Sequence, residues 1–226
     1  MYRALLFLFA LQFSFSQSEL KRALGEFNEL KVYDGITVVL KKSNKNFLVI
    51  SGENPQNVVV INKSGIIKVK MELFKRFNAE NTTINIEHKS PVFLIESQQG
   101  SKIIIKDTIF QSTVYFKTSF GGQISAQLNV KKVRSISVSG GVIQITGRTG
   151  SHEAKAVFGG VTKASKLISD QTNANTSSGG VCSAFGAEVF EATASLAGVV
   201  NVHGSPKSLT QSSFLSGQVI EKQINE

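Results

Sequence analysis

Residues 139–161 read SGGVIQITGRTGSHEAKAVFGGV, and they hold the start of one pattern twice. Ser139-Gly140-Gly141 is followed by apolar Val142, Ile143 and Ile145, and Phe158-Gly159-Gly160 opens the next copy with Val161. The last Gly of each step recurs as Gly122, Gly141, Gly160, Gly180, Gly198 and Gly217, at spacings of 19, 19, 20, 18 and 19 residues. So even a period over six marks is the signature of a solenoid, in which each repeat buries its apolar face only against its neighbours.

The columns beside the marks give the register. Two residues after them stand Ile124, Ile143, Thr162, Cys182, Val200 and Val219; four after stand Ala126, Ile145, Ala164, Ala184, Val202 and Glu221. Positions two apart on a strand share a face, so both columns are expected to point into one core. Before the marks run columns of small or apolar residues, such as Ala154, Ala156 and Phe158, or Ala192, Ala194 and Leu196. The second Gly persists where the first becomes Ala197 or Ser216. A corner with positive φ, stacked too closely for a side chain, is expected at Gly122, Gly141, Gly160, Gly180, Gly198 and Gly217.

Upstream, from Phe27 to Lys106, short runs of Val, Ile and Phe alternate with turn formers such as Asp34-Gly35, Ser64-Gly65 and Gln99-Gly100. Ile67-Lys68-Val69-Lys70 has the period of a half-buried strand. Only Met71 to Ala79 suggests a helical turn. The fold class is therefore all-β: a parallel β-helix with rungs of about 19 residues over residues 110–220, and an N-terminal portion of longer apolar strands that caps or begins it.

Residues 1–16 read as a secretory signal peptide, with Arg3 before an apolar run from Ala4 to Phe13, and small Ser14 and Ser16 where a signal peptidase inspects the chain. The mature protein, 17–226, is expected to be one exported domain beginning near Gln17, in the periplasm, at the cell surface or secreted. Nothing after residue 16 approaches the length of a transmembrane helix. A single Cys, Cys182, excludes an intrachain disulfide framework. Without Arg3, 24 Lys and Arg face 16 acidic residues, a formal +8 that favours acidic partners. Export argues against nucleic acid. A partner would be an envelope or extracellular polysaccharide, or another protein.

These repeats and the chain's opening resemble the bacterial auto-transporter adhesin family named for its head GIN domain. The resemblance rests on Phe27-Asn28-Glu29-Leu30-Lys31-Val32-Tyr33-Asp34-Gly35-Ile36-Thr37-Val38, on Ser139-Gly140-Gly141-Val142-Ile143-Gln144-Ile145 and on Ser178-Gly179-Gly180-Val181-Cys182. It runs from about Glu26 to Val219. Phe120 and Phe158 stand where the family has Ser, and Ala197-Gly198 lacks the Gly pair. The resemblance implies a β-helix-like fold and an adhesin-like role, and it brings no catalytic residue with it.

Catalytic, metal and cofactor chemistry find no support in the residues. Glycoside hydrolysis needs two carboxyls facing one bond, and the repeat region is poor in acids. Glu153 lies 19 residues beyond Arg134, which predicts a surface ion pair between neighbouring rungs. His88, His152 and His203 lack ligand spacing with each other or with Cys182. Ser151-His152-Glu153 cannot converge, because consecutive strand residues point to opposite faces. Cys182 shares the column of Ile124 and Ile143 and is expected to be buried. Trp, the common carbohydrate platform, is absent, and Phe120 and Phe158 are expected to pack at a corner or against a cap. The expected function is a non-enzymatic attachment or partner-binding protein. The alternatives are a polysaccharide lyase or hydrolase on the same scaffold, or a component of envelope assembly or sensing.

Overall fold

The computed structural model describes residues 19–52, 55–73 and 82–222. The signal segment, the cleavage point near Gln17 and most of the helical turn read at Met71 to Ala79 lie outside them. The described chain is built from strands, with one short 3-10 turn at Pro55–Asn57. It forms a β-solenoid of about seven turns with rungs about 19 residues apart.

Gln123–Val138 runs parallel to Val142–Val157 with Ile124 opposite Ile143 and Arg134 opposite Glu153, a register of one repeat. Halfway along, Lys131 and Gly150 drop out of the pairing, between Val130↔Thr149 and Lys132↔Ser151. There each coil bends. One face of the solenoid thus runs from turn to bend, the other from bend to turn, and alternate side chains from both meet inside. One inward ladder is Ile84, Val38, Ile103, Ile124, Ile143, Thr162, Cys182 and Val200, each in register with the next and each buried. The facing ladder changes character along the stack, from Val69 and Val32 through Ser97, Thr118 and Ser137 to Ala156, Thr176 and Ala194. Each buried methylene contributes about 0.8 kcal/mol. The hydrophobic drive is therefore concentrated in the N-terminal rungs, and the later rungs rely more on backbone ladders between closely spaced strands.

That close spacing explains the glycines. The left-handed residues are not the marked ones: φ is 49° at Phe120 and 76° at Gly121, 48° and 73° at Ser139 and Gly140, and 50° and 73° at Phe158 and Gly159. Both central residues of each turn have positive φ, the form called type I′. The marked glycine closes that turn, as Gly141 N–H donates to Val138 O (2.9 Å) and Gly160 N–H to Val157 O (3.0 Å). Positive φ at the marked position is thus corrected to the two residues before it. Ala197 (59°) and Ser216 (63°) replace the first Gly because their conformation is strained but open to them. The marked position is constrained by its neighbour instead: a Cβ on Gly122, Gly160 or Gly180 would sit within 3 Å of backbone atoms at Ser97, Ser137 or Ala156 in the preceding rung. In the N-terminal rungs the same position holds Ile36 and Ser101, both buried.

The first rung in the chain does not lie at the end of the stack. Glu29–Val32 lies between Ile66–Met71 and Leu94–Gln98, and Thr37–Lys42 between Thr83–His88 and Lys102–Ile105. The first rung is therefore overlaid from both sides by later chain. Antiparallel pairs cover this end: Leu20–Ala23 on Phe47–Ser51, Phe47–Ser51 on Thr83–His88, and Val58–Lys63 on Ile66–Met71. At the other end Gln211, Ser213 and Glu221 occupy inward positions and are exposed.

Candidate functional site

The face running from bend to turn carries outward ladders of charged and amide side chains. Near the N-terminal rungs, Glu96 is buried between Lys117 (2.9 Å) and Lys31 (3.8 Å) and also accepts from Gln98 Nε2 (2.8 Å). Further along, Arg134 meets Glu153 at 3.1 Å across one rung, the pair expected from their spacing. Beyond it Asn173 donates to Glu191 (2.6 Å) and Asn175 to Asn173 (2.5 Å). Lys132, Ser151, Glu153, Asn173 and Asn175 surround a shallow polar hollow, with His152 at its base. Strand pleating sets this arrangement, since Ser151, Glu153, Asn173 and Asn175 all occupy outward positions on rungs one strand spacing apart.

Arg134 and Glu153 are each about two-fifths exposed, so their coupling should be about 0.2–1 kcal/mol. A double-mutant cycle with Arg134→Ala and Glu153→Ala, read by urea denaturation, checks this. A coupling above about 2 kcal/mol would mark the pair as more than a surface contact.

His152 points inward between Ser151 and Glu153, so these three side chains do not converge. Its Nε2 lies 2.8 Å from Ser135 Oγ, and its buried Nδ1 has no hydrogen-bond partner. Burial pushes the imidazole down to about 4. The inward position follows from strand alternation, whereas the Ser135 partner, one rung back and one column over, is not visible in the period. Cys182 is buried in its column, and burial pushes the thiol up to about 12, so it is not poised as a nucleophile. His88 bonds through Nδ1 to Ser90 O (2.8 Å), far along the chain from His152 and His203. Among the described residues, no group of three or more His, Cys, Asp or Glu is placed to hold a metal ion.

Phe120 and Phe158 differ from expectation. Both are 65 % exposed at the tips of their turns, as are Leu196 at 50 % and Leu215 at 65 %. The first central residue of a type I′ turn projects away from the coil, so these side chains form a ridge instead of packing into a corner.

A family model described as "Putative auto-transporter adhesin, head GIN domain" matches residues 26–206. The chain belongs to this family. The head GIN fold is shared with solved structures. A putative adhesin from Bacteroides fragilis superposes with a TM-score of 0.81 at 18% identity, over 92% of this chain and 98% of that one. A protein from Parabacteroides distasonis described as a putative lipid binding protein gives 0.73 at 13% identity, over 93% and 98%. A putative adhesin from Parabacteroides merdae gives 0.65 at 13% identity, over 93% and 98%. At these identities the likeness shows the fold alone. No curated protein matches the chain. Within this head GIN domain several acids have structural partners: Glu87 pairs with Lys45, Glu188 with Lys207, and Asp107 accepts from the Lys42 N–H.

Proposed function

We propose that this head GIN domain is an exported, non-enzymatic, adhesin-like protein that binds an envelope or extracellular polysaccharide along its bend-to-turn face. The observation that carries the reading is the hollow between Lys132, Glu153, Asn173 and Asn175. It offers amide donors and acceptors, one cation and one carboxylate on rungs fixed by parallel pairing. A sugar hydroxyl both donates and accepts, so the Asn173 and Asn175 amides, two residues apart on one strand and on the same face, suit hydroxyls of a bound glycan. The formal +9 of the whole chain favours an anionic polysaccharide and a salt-sensitive association. The family description and two of the structural relatives, each called an adhesin, support the same reading. Glu96, Glu153 and Asp107 are engaged by a lysine, an arginine and a backbone N–H, which speaks for binding over hydrolysis.

A glycan and cell-envelope binding screen of the exported protein tests this, run with a parallel assay for cleaved sugar products. Saturable binding to intact glycan is expected, weakened about tenfold by Asn173→Ala with Asn175→Ala. Release of unsaturated or shortened sugars would instead establish the lyase or hydrolase alternative. Binding that ignores the Asn173 and Asn175 variants would move the site off this face.

A further inference from the structure

The first rung leaves the stack before it closes, and this opens the core. After Thr37–Lys42 the chain departs to the capping strand Phe47–Ser51, whereas the next rung bends through Lys106, Asp107 and Thr108 into Ile109–Ser119. Where a bend would otherwise seal the first rung, a cavity of about 190 Å³ remains. Its walls are Leu40, Val92, Ile95 and Ile105, all buried, with half-buried Ile109 beside them. Phe110, 68 % exposed, stands at its lip. These five wall side chains are all apolar, so the part of the interior they form suits hydrocarbon and disfavours a charged or strongly hydrated occupant.

The polar groups of this cavity are Lys42, His88, Asp107, Thr108 and Gln111. Asp107 is occupied by the Lys42 backbone N–H at 2.8 Å. His88 Nδ1 is committed to Ser90 O and Gln111 Nε2 to Val92 O and Thr113 O. The Lys42 ammonium is exposed and forms no ion pair among the described residues. The cavity thus sets the Lys42 ammonium beside an apolar interior, a combination that fits an amphiphile with one tail and an anionic head.

We propose that this cavity binds a medium-chain fatty carboxylate, its tail against Leu40, Ile95 and Ile105 and its carboxylate at the Lys42 ammonium. The site is separate from the polar hollow of the bend-to-turn face and does not depend on that reading. Octanoate and 1-octanol are the probes, because they share a tail and differ in the charge of the head. In methyl NMR of the full chain, octanoate is expected to shift Leu40, Val92, Ile95 and Ile105 saturably and to leave Ile143 and Val200 in place. Lys42→Gln should weaken octanoate about fivefold to tenfold and leave octanol within about twofold. Ile109→Trp, which extends a half-buried wall residue into the cavity, should abolish both. If Ile109→Trp fails to fold, the wild-type shift map decides alone. No saturable shift at the wall residues, or shifts confined to the exposed turn tips, overturns the site. Octanol binding as tightly as octanoate, with Lys42→Gln silent, overturns the carboxylate assignment.

Discussion

Gly160→Val is expected to cost about 4 kcal/mol or more, enough to unfold much of the repeat, while its neighbour Gly159→Val costs about 1–3 kcal/mol. The two positions are constrained by different physics. Gly159 has φ of 73°, but a Cβ added there would meet nothing within 4 Å, so a side chain encounters backbone strain alone. The same turn position is Ala197 and Ser216 in later rungs, which limits that strain to a tolerable size. Gly160 has no such φ, but its Cβ would fall within 3 Å of Ser137 O and of the adjoining backbone atoms. Those atoms belong to the parallel ladder and cannot step aside without breaking it. The lesion should therefore open the contact between Gln123–Val138 and Val142–Val157 and spread toward Gly180 before reaching the N-terminal cap, as nearest-neighbour stability in a solenoid requires. Hydrogen exchange on both variants checks the order. Equal loss of protection, or a greater loss for Gly159→Val, would remove the steric explanation of the repeat.

The period made much of the solenoid readable, because parallel stacking turns sequence spacing directly into contact. Ile124 over Ile143 and Arg134 beside Glu153 follow from the number 19 alone. Burial of Cys182 followed from its column in the same way. The cause of the glycine signal was less legible. Spacing shows that Gly160 is required, but strain and collision both select Gly, and only the neighbouring rung tells them apart. The exposed tips at Phe120 and Phe158 were missed for a related reason: large apolar residues ordinarily imply burial, and the turn geometry that projects them is a backbone property.

Topology lies further from the sequence. Val38 sits between Ile84 and Ile103, and nothing in these short apolar runs, which lack a fixed period, says that a rung is inserted between two later ones. The cavity at Leu40 and Ile105 is a consequence of that insertion, so its lining residues look like ordinary core in the chain. The polar hollow is partly legible. Alternation places Asn173, Asn175 and Glu153 outward, yet only the register brings them together.

Acid should destabilise this protein through His152 by about 3 kcal/mol between neutral pH and pH 4, and that contribution should vanish when the side chain is replaced. The imidazole is buried, and burial alone holds it down to about 4, against about 6.5 in an unfolded chain. The native state therefore binds its proton less readily than the unfolded state does. Above pH 6.5 both states are neutral and the native packing is at full strength. As pH falls from 6.5 toward 4, the unfolded chain gains a proton that the fold refuses, and stability drops by about 1.4 kcal/mol per unit. Neighbours in its column, Val133 and Thr172, carry no charge to offset this, and the second ring nitrogen has no acceptor waiting for a proton. Replacing His152 alone would orphan Ser135 Oγ, so the informative variant is His152→Leu with Ser135→Ala, which removes both partners of the 2.8 Å bond. Carboxylates and the other histidines titrate in both proteins, and the difference between wild type and variant isolates this pair. Urea denaturation at pH 7.5, 6, 5 and 4 should show the variant gaining on wild type by about 3 kcal/mol across the series. A difference that stays constant with pH would mean that water reaches His152, and that the rung carrying it is looser than its packing implies.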